Sequence, residues 1–127
     1  MSQWLAIAAG GALGAMGRFW VSGWVYESFG KGFPWGTLAV NVIGSFVMGF
    51  LFVLLVEKTA ADPVWRSFIM VGMLGAFTTF STFSLETLQI LETGALLRAG
   101  LNMLISVATC VLAAWVGAMM SRNLINL

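Results

Sequence analysis

Apolar residues are concentrated in four long stretches, and each stretch is long enough to cross a lipid bilayer. A helix needs about 20 residues to cross the hydrocarbon core. The stretches cover approximately residues 4–25, 35–56, 64–92 and 96–120, and turn and charge signals lie between them. This pattern predicts an all-α membrane protein with four transmembrane helices per subunit and a single transmembrane domain over residues 1–127.

The composition strengthens the membrane interpretation. Of the 127 residues, 60% are hydrophobic and only 9% are charged, whereas a soluble domain carries about 25% charged residues. The chain has no histidine and a single cysteine. Cysteine–histidine dyads, serine–histidine triads, histidine metal sites and an intrachain disulfide are therefore excluded. We expect no enzymatic activity.

The third stretch contains a segment, residues 75–84, that a plain lipid-facing helix would not carry. It combines three aromatic residues with five hydroxyl residues, namely Phe77, Phe80, Phe83, Thr78, Thr79, Ser81, Thr82 and Ser84. Hydroxyl groups satisfy backbone groups that are freed when a membrane helix breaks, and such a break is tolerated only against protein or a water-filled path. The segment predicts that the third helix is broken in mid-membrane, where the protein handles a solute.

Polar side chains share one face on each of two other stretches. Asn41 lies one helical turn after Thr37, and Asn102, Ser106 and Cys110 step by four residues along the fourth stretch. Each row is compatible with packing between helices and with a polar path. Asn41 is either a contact between helices or a donor to an anion. Because these faces carry no carboxylate, they favour a small anion over a cation.

Two of the charged residues within the apolar stretches are candidates for a functional role. Arg18 lies in the first stretch, where it either reaches the membrane interface or attracts anions in a watery vestibule. Glu86 lies three residues after Phe83, and we expect it to pair with an arginine or to be solvated near the interface.

Glycines mark a contact face on the first stretch. Gly10 and Gly14 form the G-x-x-x-G spacing at which membrane helices approach closely. We expect this face to pack against another helix.

The basic residues other than Arg18 are almost evenly divided between the two sides of the membrane. With four spans, Lys58, Arg66 and Arg122 fall on one side, and Lys31 and Arg98 on the other. An excess of such residues normally fixes orientation. The chain either inserts one way with a weak bias, or inserts both ways and pairs antiparallel. Since four helices enclose little space, a two-fold dimer would supply the missing walls of a path.

Three motifs together carry a family resemblance. They occupy residues 10–18, 36–49 and 72–83, and the third, GxxGAFTTFSTF, is the most specific. On these motifs the chain resembles the Fluc (CrcB-like) family of fluoride ion channels over essentially its whole length.

The resemblance implies an antiparallel, dual-topology homodimer in the bacterial inner membrane. It implies passive and selective export of fluoride through two pores, which relieves fluoride toxicity. It also implies a structural sodium ion at the dimer interface, held by the backbone carbonyls of Gly75 and Thr78. Fluoride, membrane lipid and a second copy of the chain would be the partners, and no nucleic acid would be.

The resemblance also implies roles for individual residues. Arg18 and Glu86 match vestibule positions. Asn102 and Cys110 depart from the family pattern, because relatives often carry tyrosine and serine there. The positions that match the pore and its polar track are Asn41, Phe80, Phe83, Ser81, Thr82, Thr37, Ser106 and Thr79.

Two other functions remain as alternatives. A small dual-topology, proton-coupled multidrug exporter would share the size and the four spans, but it requires a carboxylate within the first span. This chain has Arg18 there, and no acidic residue precedes Glu27. A structural subunit of a larger complex would explain the glycines but not the hydroxyl and phenylalanine segment.

Overall fold

The computed structural model describes residues 2–126, which form an all-helical bundle. A π-helical segment, Val53–Lys58, continues α2, and a second one, Ser67–Leu74, joins α3 to α4. The α-helices are α1 (Ser2–Phe29), α2 (Trp35–Phe52), α3 (Pro63–Arg66), α4 (Gly75–Phe77), α5 (Ser81–Glu92) and α6 (Leu96–Ile125).

Four of the resulting helical units are long and apolar enough to cross a membrane. They are span 1 (Ser2–Phe29), span 2 (Trp35–Lys58), span 3 (Pro63–Glu92) and span 4 (Leu96–Ile125). Large apolar side chains cover their outer surface, which suits contact with lipid rather than water. The prediction of four apolar helices is confirmed. Spans 1 and 4 continue beyond the predicted ends at 25 and 120, since the helices extend past their apolar parts.

Turn chemistry explains where the spans begin and end. Gly30 and Gly94 follow spans 1 and 3 and have φ values of 82° and 84°, a conformation that glycine adopts without strain. Span 3 begins after Asp62, whose Oδ1 accepts a hydrogen bond of 2.9 Å from the backbone N–H of Val64. Pro63 then occupies the first helical position, where its missing N–H costs nothing.

Span 1 packs directly against the first half of span 3. A Cβ atom added at Gly10 would clash with the carbonyl oxygen of Phe68, and one added at Gly14 would clash with that of Met73. The two helix backbones are therefore in contact at these glycines. The predicted packing role of Gly10 and Gly14 is confirmed, and span 3 is identified as their partner.

Span 2 packs against span 4 in the same way. A Cβ atom at Gly49 would meet the carbonyl of Ala114, and one at Gly117 would meet the carbonyl of Phe46. Glycines on both helices thus bring the backbones of spans 2 and 4 into contact at this level. This pairing holds the polar faces of the two spans at a fixed distance from each other.

Residues 78–80 are not helical. We refer to them as the interruption: α4 ends at Phe77, Thr78 is extended with φ −88° and ψ 159°, and α5 begins at Ser81. The interruption lies against span 2, because a Cβ atom at Gly44 would clash with Cγ2 of Thr78. It therefore exposes backbone groups to the polar face of span 2.

Candidate functional site

An open groove of about 270 Å³ runs between span 2, the interruption and span 4. None of its lining residues carries a carboxylate, an amine or a guanidinium group. They are Asn41, Ser45, Thr78, Thr79, Phe80, Phe83, Ser106, Val107, Cys110 and Val111. The groove therefore brings together three separate parts of the sequence in an uncharged environment.

Asn41 holds the interruption in place. Its Nδ2 donates to the carbonyl oxygen of Thr79 at 2.9 Å, and its Oδ1 accepts from the backbone N–H of Thr79 at 2.7 Å. These bonds satisfy two backbone groups that have left the regular helix ladder. An asparagine amide carries two N–H donors, so one of them stays available to the groove. Asn41 thus joins two helices and also offers a donor.

The hydroxyl group of Thr79 fixes the start of α5. Its Oγ1 accepts from the backbone N–H of Thr82 at 3.1 Å and donates to the hydroxyl oxygen of Thr82 at 3.2 Å. The Oγ atom of Ser81 lies 3.4 Å from the same atom. Ser81 and Thr82 lie outside the set of groove-lining residues, and their contacts stabilise the first turn of α5.

Phe80 and Phe83 form an aromatic pair on one side of the groove. Their ring centroids are 5.3 Å apart, and the ring planes are inclined by 53°. Phe83 is buried with an exposed fraction of 9%, whereas Phe80 is 75% exposed. Such an inclined pair presents electropositive ring edges as well as faces. The groove wall at Phe80 is therefore open.

A string of buried polar groups continues from the groove between α5 and span 4. Ser106 donates to Oδ1 of Asn102 at 3.3 Å, and Nδ2 of Asn102 donates to Oγ1 of Thr87 at 2.8 Å. Thr87 in turn donates to the carbonyl oxygen of Phe83 at 2.7 Å. The sequence predicted the row on span 4 but missed Thr87, although its position one turn after Phe83 would have identified it.

A second hollow of about 480 Å³ lies at the end of the molecule that carries the connection between spans 1 and 2. It contains basic, acidic and neutral polar side chains. We call this cavity the outer hollow. The residues that line it are Tyr26, Lys31, Gly32, Pro34, Glu86, Gln89, Ile90, Thr93 and Arg98. Its mixed charge distinguishes it from the uncharged groove.

Glu86 is partly buried in the wall of the outer hollow and is bound by two hydroxyl groups. Tyr26 Oη donates to Oε2 of Glu86, and Thr37 Oγ1 donates to Oε1. The two hydroxyl oxygens are 3.2 Å apart. The sequence left two alternatives for Glu86, an arginine partner or solvation near the interface, and the structure instead shows hydroxyl donors from the ends of spans 1 and 2. Tyr26 was missed as a site residue; its only sequence signal was its place near the end of span 1.

Arg18 contacts the backbone of α4. Its Nε donates to the carbonyl oxygen of Ala76 at 3.0 Å. That carbonyl lies two residues before the interruption. In an unbroken α-helix it would accept a hydrogen bond from a backbone N–H of the next turn, and here Arg18 supplies the donor instead. Arg18 lines neither the groove nor the outer hollow, so the structure places it beside the break.

The backbone carbonyl oxygens of Gly75 and Thr78 are free of hydrogen bonds within the described residues. Across residues 2–126, neither oxygen accepts a hydrogen bond from a backbone or side-chain donor. Gly75 is exposed, and Thr78 lines the groove. Carbonyl oxygens are suitable ligands for a small hard cation. The residues at these two positions therefore fit a sodium ion.

Comparison with known proteins agrees with this architecture. The family model described as "CrcB-like protein, Camphor Resistance (CrcB)" matches residues 5–118. A protein named "Fluoride-specific ion channel FluC" from Citrifermentans bemidjiense is 49% identical over 98% of this chain and 100% of its own length. A protein of the same name from Hydrogenovibrio crunogenus is 52% identical over 91% of this chain and 87% of its own length.

A third relative with this name, from Methylococcus capsulatus, is 56% identical over 94% of this chain. The match spans 52% of that relative, so this chain corresponds to about half of its length. The family match, the extent of these similarities and the four apolar spans show that the chain is an integral membrane protein and belongs to the CrcB-like family.

Proposed function

We propose that this chain forms a passive, fluoride-selective ion channel of the bacterial inner membrane, which exports fluoride and relieves its toxicity. Family membership and the names of the relatives support this function rather than multidrug export. The observation that carries the proposal is the groove, whose lining combines a free amide donor, hydroxyl groups and ring edges without a carboxylate.

The groove chemistry suits a strongly hydrated small anion. Fluoride must exchange water for other donors, and a channel must bind its ion weakly enough to release it. The free N–H of Asn41 is such a donor, and the edges of Phe80 and Phe83 are weaker electropositive contacts. Neutral groups of this kind attract an anion without the tight binding of a buried cation.

The polar string gives the path a second part. We propose that fluoride passes from the groove toward Ser106, whose hydroxyl hydrogen turns from Asn102 to the anion. Thr37 belongs to the far end of this path, and the hydroxyls of Thr79, Ser81 and Thr82 support its wall. Glu86 lies in the wall of the outer hollow near this end of the path, and Arg18 lies beside the interruption.

A second copy of the chain, inserted in the opposite orientation, would complete the pore. The groove is open on one side, and Phe80 is 75% exposed beside it. The division of basic residues, three against two, allows either orientation. In this antiparallel homodimer the interruption of span 3 lies in mid-membrane, and its exposed backbone groups face the partner.

The backbone carbonyls of Gly75 and Thr78 would hold a structural sodium ion at the dimer interface. When bound there, the ion would supply a fixed positive charge between the two subunits. The ligands would be the carbonyl oxygens of Gly75, at the start of α4, and of Thr78, in the interruption, and neither oxygen accepts a hydrogen bond within residues 2–126. Asn41 and Arg18 keep the neighbouring backbone groups satisfied and leave these two carbonyls free.

Fluoride efflux from liposomes tests the channel function. Purified protein is reconstituted with potassium fluoride inside, and efflux is followed with a fluoride electrode after valinomycin releases the potassium. We expect rapid fluoride loss, and no chloride loss from liposomes loaded with potassium chloride and read with a chloride electrode. An exporter would need an ion gradient and a drug, and a structural subunit would leave the liposomes sealed. Either of these results contradicts the proposal.

Labelling from one side of the membrane tests the orientation. In a variant with Cys110→Ser and Asn126→Cys, the new thiol lies at one end of span 4. With dual insertion, an impermeant maleimide applied to intact cells labels half of the copies. Labelling of all copies, or of none until the cells are opened, would show a single orientation and reject the antiparallel dimer.

A further inference from the structure

We infer that Tyr26 is a positioning residue that holds the Glu86 carboxylate against the wall of the outer hollow and keeps its charge out of the anion path. The inference rests on the proposed fluoride channel function. It concerns a residue outside the three sequence motifs, and it follows from a contact between the ends of spans 1 and 3.

Tyr26 and Thr37 bind the two carboxylate oxygens of Glu86 separately. Tyr26 donates to Oε2 and Thr37 donates to Oε1, so each oxygen has its own hydroxyl donor. The backbone N–H of Thr37 also contacts the Tyr26 hydroxyl oxygen at 3.4 Å. The carboxylate is thereby tied to the ends of spans 1 and 2, although Glu86 itself belongs to span 3.

The ring of Tyr26 is held by its packing against Gly36. A Cβ atom at Gly36 would lie only 2.5 Å from Cε2 of the ring and 2.6 Å from the carbonyl oxygen of Ser22. Gly36 thus leaves space for a tyrosine at this place, and the ring has little freedom to move. A phenylalanine would keep the same packing and would remove only the hydroxyl donor.

The charges of the outer hollow explain why the carboxylate has to be held. Lys31 and Arg98 both line the hollow, and within residues 2–126 neither forms a salt bridge with Glu86. Arg98 Nη1 instead donates to the carbonyl oxygen of Gly32 at 3.2 Å. The two cations are therefore free to attract anions. A released Glu86 carboxylate would turn toward them, cancel this attraction and repel fluoride.

The size of the effect follows from the bond that is lost. A hydrogen bond to a charged group is strong enough that its removal shifts the ratio of held to released carboxylate by roughly tenfold or more. Since Thr37 still binds one oxygen, part of the carboxylate population stays in place. We expect Tyr26→Phe to lower the initial fluoride efflux rate by about three- to tenfold.

Efflux from reconstituted liposomes is compared for the wild type, Tyr26→Phe, Glu86→Gln and the double variant. If Tyr26 acts through the carboxylate charge, Tyr26→Phe has little effect once residue 86 is neutral. Ser22→Ala is the matched control, because Ser22 is on the same helix and its hydroxyl binds only backbone oxygens of that helix. The control should conduct like the wild type. Gel filtration shows whether each variant keeps the assembly state of the wild type.

Ionic strength gives a second reading that does not depend on the activity of Glu86→Gln. Salt screens charges at an exposed mouth, with a Debye length of about 10 Å at 0.1 M. Adding an impermeant salt should bring Tyr26→Phe back toward the wild-type rate. A packing defect would not respond to salt, so this series decides the case if Glu86→Gln conducts nothing.

Three results would overturn the inference. Tyr26→Phe could conduct at the wild-type rate, it could lower efflux equally whether residue 86 is glutamate or glutamine, or its defect could be insensitive to salt. If the wild-type protein conducts no fluoride, the proposed function itself is rejected. The role of Tyr26 in conduction is then rejected as well.

Discussion

Replacing Asn41 by aspartate changes one atom of a side chain that has two roles in the structure. The amide of Asn41 binds both backbone groups of Thr79 and has one N–H left for the groove. Asn41→Asp keeps the acceptor for the Thr79 N–H but loses the donor and adds a negative charge. We therefore expect a large loss of fluoride conduction with a smaller loss of stability.

The magnitude can be worked out from the position of the side chain. A fluoride ion in the groove would come within about 4 Å of the new carboxylate, which costs about 4 kcal/mol at an effective dielectric constant of about 20. This corresponds to a decrease in anion occupancy of roughly a thousandfold at 25 °C. Even with substantial screening by water, we expect the efflux rate to fall at least about a hundredfold.

Two further variants separate charge from structure. Asn41→Ala removes both bonds to Thr79 and adds no charge, so a greater loss of conduction in Asn41→Asp identifies an electrostatic effect. Asn123→Asp makes the same chemical change at an exposed position near the end of span 4 and should conduct normally. Fluoride efflux is measured with an electrode for all three variants. If Asn41→Asp conducts within about twofold of the wild type, the assignment of Asn41 to the anion path is wrong.

Three other predictions concern different parts of the path and the fold. Phe80→Ile and Phe83→Ile should each lower fluoride efflux without changing the elution volume of the protein in gel filtration, because the ring edges are lost but the apolar volume is largely kept; undiminished efflux would contradict a pore role. Gly49→Ala should lower the thermal melting temperature, since overpacking costs about 1–3 kcal/mol. Gly23→Ala is the control and should not lower it, because nothing lies within 4 Å of its added Cβ. Equal melting temperatures for the two variants would contradict close packing of spans 2 and 4. A mercurial reagent should block efflux by modifying Cys110, which is the only cysteine and lines the groove. Cys110→Ser should be resistant to the reagent. A block that persists in the serine variant would show that the reagent acts at another residue.

The four spans could be predicted from the sequence because hydrophobicity along a chain is a local property. A stretch of about 20 apolar residues needs a helix and a membrane whatever its neighbours are. The glycines at 10 and 14, the polar row on span 4 and the hydroxyl segment of span 3 were visible for the same reason. Each is a pattern within one helix, and its spacing specifies a face. The family motifs were equally local, and they led to the family that the comparisons show.

Only the tertiary structure decided which of these faces meet. Asn41 binds Thr79 across 38 positions of sequence, and Glu86 is bound by Tyr26 across 60. Both contacts depend on which helices the glycines bring together, since span 1 approaches span 3 while span 2 approaches span 4. A single helix face does not specify its partner, because any apolar face can pack against several others in a membrane. The sequence therefore determined the helices and their polar faces, and the packing of their backbones determined which polar groups share a site.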